Sequence, residues 1–363
     1  MAIPKFDPKE LVVASETPSR MPGGPTTPIY SFPVTPKEAV CAMMRREPVW
    51  QITGIESKLF TPRLLPDNVA RAFVFEEEPF DFLNDGGGKD MFGIEWEFVP
   101  SAFGSMVRPG NPTLDDSNEW PDKIVWPDID SWDWEGSAKR NNDAFLASDS
   151  YNNCWFQTGW FERLVSMMDF EGALMALFDE DQKDATKELL GKISELYIRI
   201  FDKYITYFPK IDGFCIHDDW GSQKETFFAP AIAEEMIVPH MRKVTDFIHS
   251  KGKYCEFHSC GQILKQVPNM ILAGWDSWVG QEMNDTQKIY ELYGDKIMIG
   301  VIPDRFDPDA TSEEEQRAAA RAYADKYCRP DKPSTYNYSG GALLTRAFRE
   351  ELYIRSRENY SAK

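Results

Sequence analysis

An α/β fold, an eight-stranded (β/α)8 TIM barrel preceded by an irregular N-terminal arm, is what this sequence predicts, on three observations. From Tyr151 onward, short apolar runs alternate with amphipathic runs of helical spacing, the rhythm of a parallel sheet. The clear strand runs, taken with two earlier candidates, come to about eight, the number that closes a barrel. No strand run leads into a G-x-G-x-x-G turn or a phosphate loop, which weighs against an open nucleotide-binding sheet. A length of 363 residues suits one large α/β domain. The expected organisation is therefore an arm over residues 1–35 and a single barrel domain over 36–363.

The arm is rich in Pro, Thr, Ser and Gly, as in T-P-S-R-M-P-G-G-P-T-T-P, and so predicts irregular chain. A helix is expected from Thr35 to Arg46, with Thr35 as cap and Pro36 in its first turn. The run P-V-W-Q-I-T-G, ended by Gly54, is read as the first strand, and Ala72 to Phe75 opens another candidate. Residues 84–135 mix Gly, Pro, Asp and Trp and predict loops, a hairpin and short strands. The G-G-G at 86–88 is read as a turn.

Further on, Cys154 to Thr158 predicts a strand and Trp160 to Phe178 a helix. Lys183 to Phe208 predicts a longer helix, since Leu189, Ile193, Leu196, Ile200 and Tyr204 recur on one face. D-G-F-C-I-H-D-D is the next strand, followed by a helix from Pro230 to Ser250 that Gly252 closes. The strands Y-C-E-F-H-S-C-G, S-W-V-G-Q-E-M and I-M-I-G-V-I-P follow, each with a helix after it. The last helix of that series runs from Ser312 to Tyr327, and S-T-Y-N-Y-S-G-G is the final strand.

Charge narrows the function classes. Lys plus Arg is 40 against 59 for Asp plus Glu, a formal net charge of -19. Such a surface repels phosphate backbones and acidic headgroups, so neither nucleic acid nor a membrane is an expected partner. No apolar run is long enough to span a bilayer, and the first ten residues hold no apolar signal core. Of the six cysteines, Cys154, Cys215, Cys255 and Cys260 fall in or at the end of strand-like runs. That suits reduced thiols or a ligand and, with the missing leader, predicts a cytoplasmic protein.

Three late strands end in polar residues: His217, Asp218 and Asp219; His258 and Cys260; Gln281 and Glu282. In a parallel barrel all strand C-termini open on one face, so these side chains are expected to converge there. His258 and Cys260, two residues apart on a strand, share a side, and imidazole with thiolate is a good zinc donor pair. The plainer alternative is a buried histidine beside an inert core cysteine. For Asp218 and Asp219 the alternatives are a helix cap or an ion pair against a metal ligand or a general acid. His240 and His249 fall on a helix and are read as packing or surface residues. Trp96, Trp120, Trp126, Trp132 and Trp134 are read as packing for the loop-rich segment.

H-D-D-W-G-S-Q at 217–223, F-H-S-C-G at 257–261, D-M-F-G-I-E-W-E-F-V-P at 90–100 and G-W-D-S-W-V-G-Q-E-M-N-D at 274–285 together resemble one family. It is the uroporphyrinogen decarboxylase-like superfamily, in its corrinoid-dependent methyltransferase branch, and the resemblance covers roughly residues 36–345. The arginine-bearing R-Q-A-G-R-Y of the decarboxylases is replaced here by Q-I-T-G-I-E-S-K-L-F at 51–60. Without those cations a polyanionic tetrapyrrole loses its counter-charges. In the thiol-methylating relatives zinc is held by H-x-C and a later cysteine, and T-Y-N-Y-S-G-G-A at 335–342 contains none.

The resemblance therefore points to aryl methyl ether O-demethylases of the vanillate and veratrole type. It implies that the methyl of a methoxylated aromatic substrate passes to the cobalamin, as cob(I)alamin, of a separate corrinoid protein. It further implies zinc on His258 and Cys260, with Asp219 or Glu282 as a further ligand. His217 or Asp218 would polarise or protonate the ether oxygen. Gln223 and Gln281 would orient substrate, and Trp155, Tyr336 and Tyr338 would wall its ring. Another methyl donor (methylamine, methylthiol or methyl-tetrahydrofolate) and decarboxylation of a small acid remain as alternatives.

Overall fold

The computed structural model of the chain describes residues 5–17, 27–101, 104–337 and 344–361. Its strands are β1 (Val13–Thr17), β2 (Thr27–Tyr30), β3 (Ser57–Phe60), β4 (Gly88–Lys89), β5 (Glu95–Val99) and β6 (Gly104–Val107), then β7 (Tyr151–Phe156), β8 (Gly213–His217), β9 (Tyr254–His258), β10 (Ser277–Trp278), β11 (Met298–Val301) and β12 (Thr335–Tyr336). Two compact units emerge, each from separate stretches of chain. One is Lys58–Ser148 with Asn152–Asp285; the other is Met1–Ser57, Asp149–Tyr151 and Thr286–Lys363.

In the larger unit β7, β8, β9 and β10 lie side by side and parallel, with β3 beyond β7. Phe214, Cys215 and Ile216 are buried, as a parallel strand covered on both faces requires. The register sets Trp155 beside Cys215, Cys215 beside Glu256, and His217 beside His258. Side chains alternate across a strand, so Trp155, Cys215, His217, Glu256 and His258 share one face of the sheet.

Helices cover the unit much as the spacing predicts. Trp160–Phe178 and Lys183–Tyr207 form, and all five residues of the predicted stripe from Leu189 to Tyr204 are buried. The single helix expected over 230–250 is corrected to two, Pro230–Met236 and Val238–Ser250. Pro239 cannot donate to the carbonyl one turn back, so a helix must restart ahead of it.

The loop-rich segment contributes the antiparallel sheet β4–β5–β6. It is anchored from below by Arg163, fully buried, which pairs with Asp67 and, at 2.8 Å, with Asp90. Asp90 also accepts from the Trp96 indole at 3.0 Å and from Phe92 and Ile94 backbone N–H groups. Ala72–Phe75 makes one bridge, Phe75 to Thr61, in place of a strand.

In the smaller unit β11 and β12 pair in parallel beneath the helices Glu313–Tyr327 and Arg346–Ser361. The helix expected from Thr35 runs over Pro36–Met44, with a reciprocal cap between Thr35 and Glu38. The arm is corrected from irregular to partly ordered. β1 and β2 pair antiparallel, and Glu10 is buried against Arg357 and Tyr353 at 2.9 and 2.7 Å. Its Pro- and Gly-rich middle, residues 18–26, lies outside the described residues.

The expected first strand is also corrected. Residues 48–53 lie in no named strand because side chains take their backbone donors: Gln51 N–H goes to Ser356 Oγ and Thr53 N–H to Glu56 Oε2. One ladder-like bond remains, from Tyr336 N–H to Ile52 O at 2.8 Å. Neither the five strands of the larger unit nor the pair in the smaller one closes into a ring among the described residues. The architecture is a mixed α/β one with parallel strands flanked by helices, compatible with a TIM-like fold but without the closed barrel. No described helix is long and apolar enough to cross a membrane.

Candidate functional site

The C-terminal ends of β8 and β9 build the site, all within the larger unit. Their in-register ends set the His217 and His258 rings face to face, 5.0 Å between centroids and 22° from parallel. Trp155, on the neighbouring strand, leans on His258 at 4.8 Å. Asp219 extends from the same side of its chain as His217, and its Oδ1 lies 3.4 Å from His217 Nε2. The donor atoms of His217, Asp219 and His258 all fall within 4.8 Å of one another. Cys260 Sγ is 3.5 Å from His258 Nε2, and its backbone N–H donates to Asp219 Oδ1 at 2.6 Å.

Two residues absent from the sequence-level expectation complete the group. Glu162, in the first turn of the helix after β7, places Oε1 3.2 Å from His217 Nε2. Arg71 binds Glu162 with both terminal nitrogens, at 3.2 and 3.4 Å, and lies over the Trp96 ring. An acid in the first turn of a helix that follows a strand was a readable signal for Glu162. Nothing in the local sequence marks Arg71.

The two imidazoles differ in charge. Burial opposes protonation of His217, but the carboxylates of Glu162 and Asp219 outweigh it and push its pKa up to about 10. Burial, then the charge on His217, takes His258 down to about 4. Burial also opposes ionisation of Asp219, yet His217 holds its carboxyl well below the usual range. Burial, then Asp219, pushes the Cys260 thiol up to about 12. At neutral pH the site is a neutral imidazole, a carboxylate, an imidazolium and a thiol. Neutral imidazole with carboxylate and a nearby sulfur is a donor set that fits a borderline divalent ion such as zinc.

Asp218 sits elsewhere. Alternation turns it from the site, and its buried carboxylate accepts from Phe161 N–H at 3.1 Å, Glu162 N–H at 2.8 Å and the Trp220 indole at 2.9 Å. It caps the helix Trp160–Phe178 from outside that helix. The close approach needs Gly159, where a Cβ would stand 2.4 Å from Asp218 Cβ. Burial raises Asp218 to about 7 in spite of these donors.

Gln281 is at the loop after β9, where its Oε1 accepts from Gly261 N–H at 2.8 Å. Asn284 grips the same loop through Gly261 O and Ile263 N–H. Gly261 has φ +84°, and a Cβ there would meet Gly221 O at 2.2 Å. Glu282 is exposed and stands outside the trio of donors. Gln223 is exposed in the turn bridged by Gly221 and Thr226. Tyr336 lies in the smaller unit, 3% exposed, and packs on Tyr323 and Phe348. Tyr338 lies outside the described residues.

No family model matches the chain, and no curated protein does. Among solved structures the chain is similar to a methyltransferase from Methanosarcina mazei, with a TM-score of 0.56 and 13% identity. That likeness covers 90% of this chain and 99% of the other. At such identity it is a likeness of fold, which agrees with the parallel α/β architecture described above.

Proposed function

We propose that the chain is a methyltransferase that demethylates a methoxylated aromatic compound, passing the methyl group to the cob(I)alamin of a separate corrinoid protein. The carrying observation is the stacked pair His217 and His258, one charged and one neutral, with Asp219 and Cys260 at the same strand ends. The shared fold with a methyltransferase and the motif resemblance support the choice of reaction. His258 and Asp219, with Cys260 beside them, would hold zinc, whose Lewis acidity would weaken the ether bond.

An aryl ether releases its methyl reluctantly because phenolate is a poor leaving group. His217, in its protonated form and steadied by Glu162, donates its proton to the ether oxygen. The methyl–oxygen bond breaks with its electron pair left on oxygen, and the acceptor cobalt supplies the pair for the new bond. Phenol and a methylated acceptor result, and atoms and charge balance. Trp155 offers an aromatic face for a flat ring, and Arg71 holds the Glu162 carboxylate that faces His217.

The test mixes purified protein, a reduced corrinoid protein and a panel of methoxyarenes, and reads methylcobalamin and phenol together. His217→Gln should lower turnover by about 100-fold or more, the usual worth of a general acid. Absence of methyl transfer from every methoxyarene in the panel would overturn the reading. Transfer from thiols or methylamines instead would reassign the donor.

A further inference from the structure

A second group of donors lies at the opposite ends of these strands. His249, Cys255 and Asp276 place an imidazole nitrogen, a thiol sulfur and a carboxylate oxygen within 4.8 Å of one another. Cys255 is the second residue of β9, and Asp276 immediately precedes β10. His258 ends β9, so the strand separates the two groups. Alternation also turns Cys255 away from the face that Glu256 and His258 share.

The chain constructs this group from three elements. Asp276 N–H donates to Cys255 O at 2.9 Å, and Cys255 N–H returns a bond to Asp276 Oδ2 at 2.7 Å. These two bonds fix thiol and carboxylate before anything binds. His249 stands in the last turn of Val238–Ser250, and Gly252, at φ +70°, reverses the chain directly into β9. That tight return brings the imidazole back over the cysteine. His249 Nε2 lies 2.9 Å from Asp276 Oδ2 and 3.2 Å from Cys255 Sγ.

We propose that His249, Cys255 and Asp276 form a structural site for a borderline-soft divalent cation, zinc being the natural occupant. Tetrahedral zinc with bonds near 2.0–2.3 Å sets its ligands about 3.3–3.6 Å apart. The two separations from His249 Nε2 are shorter by a few tenths of an ångström, as hydrogen bonds between the same atoms require. Binding therefore asks His249 to draw back slightly from both partners. The sulfur is buried, while the His249 and Asp276 side chains are 36% and 25% exposed. An ion can enter from solvent, and water can complete its shell. One imidazole, one thiolate and one carboxylate match zinc better than the all-oxygen preference of magnesium or calcium. The ion would staple the helix end to the starts of β9 and β10, far along the strands from the reacting groups.

The experiment uses the full chain carrying His258→Ala and Cys260→Ala, so that the result is independent of any metal at the first site. Metal-free, reduced protein is titrated with Co²⁺, and the near-ultraviolet thiolate-to-cobalt band is recorded. One cobalt per chain with that band is expected, together with a higher melting temperature on zinc addition. Cys255→Ser should abolish the band. His249→Ala, at a position open to solvent, should weaken binding by at least about tenfold. Circular dichroism confirms that each variant is folded. Absence of a thiolate band in the starting background would overturn the proposal. So would a band that survives both Cys255→Ser and His249→Ala, since another cysteine would then be the ligand.

Discussion

His217 and His258 show how one environment can hold the same side chain in two charge states. Both are largely enclosed, and desolvation alone would neutralise both. Two carboxylates reverse that at His217, and the resulting cation reinforces neutrality at His258. Asp218, between His217 and Asp219 in sequence, has a different task. Asp218→Ala would orphan two helix N–H groups and the Trp220 indole, and a loss of about 2–4 kcal/mol is expected by denaturant melts. His240 is a third case, buried with Nδ1 unpartnered and its pKa taken down to about 4 by burial, then by Lys243 and Lys187. Its folded pKa lies below the unfolded value, so the unfolded chain binds a proton first as pH falls. Stability should therefore drop from about pH 6.5 towards 4, by about 1.4 kcal/mol per unit at most. In His240→Gln that part of the slope should disappear from melting temperatures measured across the window.

At the scale of elements, the helical stripes were legible because their period is set by backbone geometry and their apolar faces meet the sheet. The Lys183–Tyr207 helix is the clearest case. The break at Pro239 was equally legible from its missing N–H, and the expectation of one helix there overlooked it. The loop-rich segment was not legible, because a distant residue organises it. Arg163 belongs to a helix about seventy residues away, yet it neutralises Asp67 and Asp90 beneath β5. Arg163→Met would leave two carboxylates buried without their cation, and about 3–5 kcal/mol of stability should be lost in equilibrium unfolding. Two of the three polar strand ends, at His217 and His258, lie together, since neighbouring parallel strands end on one face. Sequence reasoning missed that alternation splits 217 and 219 from 218, a distinction already present in the numbering.

At the scale of the molecule, alternation of strand and helix predicted a parallel α/β architecture, which the structure has. Closure was the part the sequence could not supply. An apolar run such as 48–53 satisfies a strand pattern whether its donors go to a neighbouring strand or, as here, to Ser356 and Glu56. In the arm, composition reports local preference, while Glu10 is ordered by Arg357 and Tyr353 from the far end of the chain. Glu10→Gln should cost the smaller unit about 3 kcal/mol, measurable as a lowered melting midpoint. The contact between Gly261 and Gly221 has a practical meaning for mutagenesis around the strand ends. The two loops meet backbone to backbone, with no room for a side chain at either residue, so they tolerate no diversification. Mutagenesis that starts from the proposed reaction should vary Trp155, whose ring leans on His258, and leave that glycine pair untouched.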